Sequence, residues 1–302
     1  MGNARFDAND WDGYKASVAK SPPSTIFRNS GLADSLDPSQ FKFRESVDSD
    51  KNPNSTPIII GVDETGSMGM LATDIIKKGL GIVMKGIYDR KPVTDPHICI
   101  AGIGDAAFDR APIQVTQFEA GVKEITSQVE QIYIEGNGGG NGGESYPILW
   151  YFAANKTKCD AITKRNRKGY LFTVGDECPT KLTKGEIKKF FGDDVETDMS
   201  IKDLLDLAKK NWHVFHIIVE TGATREQGAV DVWRDLLGQR AIVIPDKDKL
   251  AEVIVSTIQV IEGEDADKVA DSWDGTTSVV VRNAIKGLEK SPSKTEEEVV
   301  RV

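Results

Sequence analysis

The chain has 302 residues, of which 39% are hydrophobic and 28% charged, a balance typical of a globular protein and unlike that of a wholly disordered one. Its 38 Lys and Arg residues against 47 Asp and Glu residues give a net charge of −9, which argues against general binding to nucleic acid or to an anionic membrane. No apolar run reaches membrane-spanning length, the N-terminus lacks the apolar core of a signal peptide, and the three cysteines form no CxxC pair, so we expect a cytoplasmic protein without a membrane span or a disulfide framework.

The chain divides into three segments. Residues 1–56 contain turn-forming clusters and few apolar runs, which predicts an extended N-terminal arm, with aromatic side chains such as Trp11 and Phe43 as anchors on the core. Regular structure begins at Pro57, and we expect one domain over 57–262. The remainder, 263–302, predicts an acidic C-terminal tail that is partly mobile, and its piece 278–290 could be either a helix or a strand.

Strands and helices alternate through the central segment. PIIIGV (57–62) predicts a buried parallel strand, the apolar spacing over 71–90 predicts an amphipathic helix, and the segments 97–104 and 112–118 predict an antiparallel hairpin at a sheet edge. Further strands are predicted at 169–174, 213–219 and 241–245, and helices at 122–132, from 147, near 184–191 and 200–210, and at 229–237 and 250–261. This order predicts an α/β fold with a doubly wound, mostly parallel, Rossmann-like sheet covered by helices on both faces.

Three loops should meet at the carboxyl ends of the strands, where such sheets bind ligands. They are DETGSMG (63–69), GNGGGNGGES (136–145) and GDE (175–177). Asp63, Thr65 and Ser67 are spaced by two, so an extended loop can point one carboxylate and two hydroxyls to the same side. These hard oxygen donors suit Mg²⁺, Mn²⁺ or Ca²⁺, and Asp176 would supply a second negative charge. In the alternative interpretation, Thr65 and Ser67 cap the following helix and Asp63 complements its dipole.

The segment IIIGVDETGSMG resembles the metal-ion-dependent adhesion site of von Willebrand factor type A (vWA) domains, whose first motif is Asp-x-Ser-x-Ser. Here the motif is Asp63-x-Thr65-x-Ser67, and the resemblance extends over roughly 57–262. In the family a second loop supplies a Thr and a third supplies an Asp. Asp176 fits the third loop, whereas the glycine-rich loop lacks the Thr and offers Asn141. The chain could belong to a bacterial or phage-type subgroup of vWA-like proteins.

The resemblance implies a non-enzymatic protein-binding module for adhesion or scaffolding, with no catalytic residues. Mg²⁺, or Mn²⁺ or Ca²⁺ in its place, would be held by five side chains and would capture an acidic side chain of a partner protein; the five are Asp63, Thr65, Ser67, Asn141 and Asp176. Since Asn141 is a neutral replacement for the expected donor, a metal-free scaffold with a degenerate site is a second possibility.

An enzymatic alternative rests on the same first loop. An apolar strand followed by DETGS also resembles the Asp-x-Thr-Gly-Thr box of haloacid-dehalogenase-like phosphohydrolases. Asp63 would then be the nucleophile that forms an aspartyl-phosphate, and Asp176 would hold Mg²⁺. Two features oppose this interpretation: Thr65 stands where these phosphatases carry a second Asp as general acid, and the segment 178–181 after the GD pair offers no further Asp.

Overall fold

The computed structural model describes residues 4–64, 79–135, 143–221, 224 and 228–290. Within these ranges the strands are β1 (Arg44–Ser46), β2 (Thr56–Asp63), β3 (Pro96–Ile103), β4 (Ile113–Val115), β5 (Gly143–Glu144), β6 (Thr157–Cys159), β7 (Gly169–Gly175), β8 (Cys178–Pro179), β9 (Trp212–Val219) and β10 (Ala241–Ile244). The helices are α1 (Ala8–Val18), α2 (Pro23–Ile26), α3 (Leu80–Arg90), α4 (Val122–Val129), α5 (Pro147–Asn155), α6 (Asp160–Arg165), α7 (Lys184–Phe191), α8 (Ile201–Lys209), α9 (Ala229–Leu237), α10 (Leu250–Ile261), α11 (Ala266–Asp271) and α12 (Gly275–Ile285). In this part of the chain, no helix combines the length and apolarity needed to cross a bilayer.

A six-stranded sheet, in the order β10-β9-β7-β2-β3-β4, forms the centre of the fold. Every neighbouring pair from β10 to β3 is parallel. The edge strand β4 is antiparallel to β3, with Gly102 opposite Gln114. The structure therefore confirms the predicted α/β class, a mostly parallel sheet with an antiparallel edge hairpin, which is consistent with a Rossmann-like or vWA-like fold.

Both faces of the sheet are buried by helices. On β2, Ile58 and Ile60 belong to an apolar cluster with α3, α4, α10 and the N-terminal segment, whereas Ile59 packs with α5, α7, α8 and α9. Alternate side chains of a strand point to opposite faces, so a strand covered on both faces must be apolar at nearly every position. This is why PIIIGV is one continuous apolar run rather than an alternating one.

The N-terminal segment, predicted as an extended arm, is partly helical. Trp11 lies on α1 and is buried, as is Phe27, whereas Phe43 is 37% exposed. The Trp11 indole fills a notch on α3 at Gly81, where an added Cβ would lie 1.7 Å from the ring. The arm is thus docked through Trp11 and Phe27 but not through Phe43, and its first part forms a helix that the turn-rich composition of 1–56 did not indicate.

The C-terminal segment also contains more regular structure than predicted. Helices α11 and α12 fall within 263–302, and the piece 278–290, undecided from the sequence, is helical as far as Ile285. Val281 and Ile285 are buried, and α12 packs on α10. Their spacing of four residues places both on one face of a helix, which is enough to dock it although the surrounding residues are polar. Residues 291–302 lie outside the described ranges.

Candidate functional site

The strand order places a topological switch point between β2 and β7, at the centre of the sheet. The chain leaving β2 reaches β3 over the face that carries α3, whereas the chain leaving β7 reaches β9 over the opposite face, through α7 and α8. Neighbouring strands whose connections diverge in this way leave an opening at their carboxyl ends, where α/β folds commonly bind ligands. Asp63 is the last residue of β2 and Asp176 directly follows β7, and both are buried.

Tyr146 links the two predicted loops. Its hydroxyl donates a hydrogen bond to Asp63 Oδ2 at 2.8 Å and accepts one from the Glu177 amide at 3.3 Å. Burial, with the charge of Asp63 and the hydrogen bond to it, raises the pKa of Tyr146 well above its usual value, so the phenol stays protonated and acts as the donor. A Cβ on Gly175 would lie 2.0 Å from the Tyr146 hydroxyl. This close approach therefore requires glycine at the end of β7.

Asp176 is held by a side chain from a third strand end. Thr221, which follows β9, donates from Oγ1 to Asp176 Oδ2 at 2.7 Å. The Thr221 amide in turn donates to Thr224 Oγ1 at 3.0 Å. These contacts fix the orientation of the Asp176 carboxylate at the edge of the sheet.

The segments that follow the glycine-rich loop and the GDE turn are joined by a short parallel ladder. Gly143 of β5 is opposite Cys178 of β8, and an added Cβ on Gly143 would lie 3.0 Å from the Cys178 carbonyl oxygen. Ser145 connects this ladder to the hairpin turn: its Oγ accepts from the Ala106 amide at 3.0 Å and lies 2.9 Å from Thr180 Oγ1. Three loops that are distant in sequence are thus held together by hydrogen bonds.

Carboxyl groups crowd this edge of the sheet. Burial raises the pKa of Glu64 well above its usual value, and the charges of Asp63 and Asp109 raise it further. Burial also raises the pKa values of Asp109 and Glu177, and the charge of Asp105 contributes to both. Like charge thus adds to the effect of burial on the carboxyl groups at this edge of the sheet.

Of the five predicted metal ligands, the structure describes Asp63, at the end of β2, and Asp176, directly after the neighbouring strand β7. The other three, Thr65, Ser67 and Asn141, lie outside the described residues. Across the ranges that are described, no group of three or more His, Cys, Asp and Glu side chains is arranged to hold a metal ion. The two carboxylates are oxygen donors of the type that Mg²⁺ and Ca²⁺ bind, so they fit such an ion, and the complete five-residue site stays a prediction.

Sequence reasoning missed two of the residues that organise this site, Tyr146 and Thr221. Tyr146 stands between the glycine-rich loop and the buried helix α5, and its position next to Ser145 could have placed it near the site. Thr221 follows β9, and in a parallel sheet the residues after neighbouring strands lie at the same edge. That rule, applied to Asp63 and Asp176, would have found Thr221 as well.

Comparison with solved structures gives remote likenesses. No family model matches the chain, and no curated protein matches it. Two structures of the pilus adhesin SpaC from Lactobacillus rhamnosus GG are similar at 12% identity, with TM-scores of 0.45 and 0.46; the matches cover 70% of this chain and 31% and 32% of the adhesin. The human COPII-coat protein Sec24c is similar at 10% identity with a TM-score of 0.36, over 68% of this chain and 32% of that one. The chain thus spans about a third of the structures it matches, and likenesses this remote carry no conclusion about function.

Proposed function

We propose that the chain is a vWA-like module that binds a partner protein through a divalent cation, and that it is not an enzyme. The observation that carries the proposal is the meeting of the Asp63 strand end and the Asp176 turn on the hydroxyl of Tyr146. Two segments more than a hundred residues apart are held at one point at the carboxyl ends of the strands. This is the arrangement that the resemblance of the DETGS segment to an adhesion site requires.

The donor set explains why such a site would attract an acidic partner. Asp63, Thr65, Ser67, Asn141 and Asp176 would hold Mg²⁺, Mn²⁺ or Ca²⁺, and only two of these side chains are charged. Mg²⁺ takes six oxygen ligands, so five side chains leave a position for one more. When bound, the ion would supply a Lewis-acidic contact for a carboxylate of the partner.

An exposed aromatic side chain beside the site suits contact with a protein. Phe108 lies in the turn after β3, close to the backbone that contacts Ser145, and it is 62% exposed. Aromatic residues are enriched among the side chains that dominate protein–protein binding energy. A partner that reaches the cation with a carboxylate could therefore also cover Phe108.

Partner capture with and without metal tests this proposal. The immobilised full chain should retain a partner from its native lysate in the presence of Mg²⁺ and release it with a chelator. Asp63→Asn should lose the partner, and Phe108→Ala should weaken its retention. Asp267→Asn, which changes a carboxylate that is 82% exposed on α11, serves as the matched control and should behave as wild type.

Two results would count against the proposal. Retention that is insensitive to chelator and to Asp63→Asn would favour a metal-free scaffold. Release of phosphate from an aryl phosphate by the wild-type chain, lost in Asp63→Asn, would favour the phosphohydrolase interpretation.

A further inference from the structure

A cavity lies at the amino ends of the central strands, opposite the candidate site at their carboxyl ends. It has a volume of about 210 Å³ and is lined in part by Thr56, the first residue of β2, and by Lys168, which precedes β7. Asp63 and Asp176 lie at the other ends of these two strands. An eight-residue strand spans about 25 Å, so the two regions are separated by the full length of these strands.

The walls of this cavity are mainly cationic and hydroxylic. Three cations line it against two carboxylates, Glu262 in the wall and Asp48, which pairs with Arg165. Serine and threonine side chains complete the lining; the residues that matter are Arg165, Arg167, Lys168, Glu262, Ser55 and Thr94. The chain as a whole carries a net charge of −9. A local excess of positive charge in an acidic protein is therefore a specific feature of this cavity and does not reflect the composition.

The two arginines are held in place while most of their hydrogen-bond donors stay available. Arg165 pairs with Asp48 and donates to the Ser55 carbonyl oxygen at 2.6 Å. Arg167 donates to Glu262 Oε2 at 2.6 Å. A guanidinium has five N–H donors, and within the described residues these contacts use two from Arg165 and one from Arg167. The remaining donors can serve a ligand without repositioning the side chains.

The positive field extends beyond the cavity walls. Burial, together with the charges of Arg240, Lys168 and Arg167, lowers the pKa of His213 to about 3. Burial likewise lowers the pKa of Lys209, with Arg240 and Lys168 among the contributing charges. Cations that depress the pKa values of their basic neighbours indicate a potential that attracts an anion.

We propose that this cavity binds a phosphate group, either as free phosphate or as the phosphomonoester of a small molecule. Arginine forks match phosphate oxygens in geometry, and charge-assisted hydrogen bonds of this kind are strong. The Ser55 and Thr94 hydroxyls already donate to Asp48 Oδ1 and to the Asn54 carbonyl oxygen, so the guanidinium groups would supply the donors to the phosphate. Typical pockets for drug-sized ligands occupy about 300 to 1,000 Å³, so a cavity of about 210 Å³ suits a phosphate with a small attached group.

Phosphorus NMR titrations of the full chain at constant ionic strength test the proposal. One titration uses inorganic phosphate and a second uses glycerol 3-phosphate. Arg167→Gln should weaken binding about tenfold, the loss expected for one charge-assisted contact. Lys168→Gln should weaken it by a smaller factor. Lys188→Gln, an exposed lysine on α7 that pairs with Asp194, is the matched control and should leave binding unchanged.

Glu262→Gln should change the affinity for phosphate in the opposite direction, which makes the test sharper. It removes the one carboxylate of the wall and keeps an oxygen that can accept from the Tyr170 hydroxyl, now hydrogen-bonded to Glu262. Phosphate binding should therefore become tighter. The proposal is supported if either or both ligands bind and if the affinities of the variants follow this order. Which ligand binds identifies the form of the phosphate. Absence of binding to both ligands, or equal binding in all variants, overturns it.

Discussion

The two ends of the central strands, the carboxyl edge and the amino edge of the sheet, differ in charge and in how they are built. At the carboxyl edge the buried groups are acids, among them Asp63 and Asp176, whereas the cavity at the amino edge is walled mainly by Arg165, Arg167 and Lys168. The acidic residues directly follow strands, so the parallel sheet alone brings them to one edge. The basic residues lie at the end of α6 and in the segment that leads to β7. The topology of a parallel sheet thus decides which residues meet at the carboxyl edge. Which residues meet at the amino edge depends on how the helices return to the sheet.

The largest effect is expected from Gly175→Ala, which tests whether the carboxyl edge depends on close packing. The new Cβ would lie 2.0 Å from the Tyr146 hydroxyl, so the tyrosine must move away from Asp63. We expect the free energy of unfolding to fall by about 3 kcal/mol, as for an overpacked core, measured by urea unfolding.

Gly185→Ala is the control for this substitution. The nearest atom to its added Cβ is 3.9 Å away, and alanine is favoured over glycine within a helix such as α7. It should leave stability unchanged or raise it slightly. Equal losses in the two variants would contradict the packing argument.

Tyr146→Phe removes the hydroxyl that links the two predicted loops without changing the size of the ring. Asp63 loses a buried donor and the Glu177 amide loses its acceptor, so we expect a loss of about 2 kcal/mol in unfolding free energy. Tyr151→Phe, on the same helix, removes a hydroxyl that donates to the half-buried Asp193 at 2.9 Å and should cost less. A larger loss for Tyr151→Phe would show that Tyr146 does not organise the site.

Glu64→Gln tests the acid crowding at the same edge. Because the pKa of Glu64 is raised in the folded protein, the folded state holds a proton that the unfolded chain releases above pH 4.5, the usual pKa of the group. The stabilising contribution of this proton is complete below that pH and is lost as the pH rises through the folded-state pKa. Glu64→Gln should therefore gain stability relative to wild type as the pH rises from acid to neutral.

Urea unfolding of wild type, Glu64→Gln and the exposed control Glu196→Gln at several pH values checks this sign. The difference in unfolding free energy between Glu64→Gln and wild type should grow from acid to neutral pH. The difference between the control and wild type should not change with pH. A difference that shrinks with rising pH would mean that Glu64 is charged and compensated in the folded protein.

The smallest effects are expected at the amino edge. Arg165 is 23% exposed and holds both Asp48 and the Ser55 carbonyl, whereas Arg167 is 55% exposed. Arg165→Gln should cost about 1 kcal/mol and Arg167→Gln less than about 0.5 kcal/mol, both by thermal unfolding. If Arg167→Gln proved the more costly change, Arg167 would have a structural role, and its use as a ligand-binding residue would lose support.

Those parts of the fold that follow from a local sequence pattern could be predicted from the sequence alone. Apolar runs such as 57–62 and 169–174 identified the strands, and the residues after them identified Asp63 and Asp176. Tyr146 was not predicted because its contact with Asp63 joins positions 83 residues apart, and no local pattern specifies such a contact. The helix that carries Trp11 was missed because it is stabilised by docking on Gly81 rather than by a strong helical periodicity of its own. The basic cavity was missed because its walls come from four separate segments.

Calorimetric titration with Mn²⁺ is the most direct test of the claim that the Asp63 and Asp176 loops form one cation site. We expect saturable binding of one ion at micromolar to millimolar metal. That binding should be lost in both Asp63→Asn and Asp176→Asn and should be unchanged in Asp267→Asn. Absence of binding at millimolar Mn²⁺ in the wild-type chain, or binding that survives both substitutions, would contradict it.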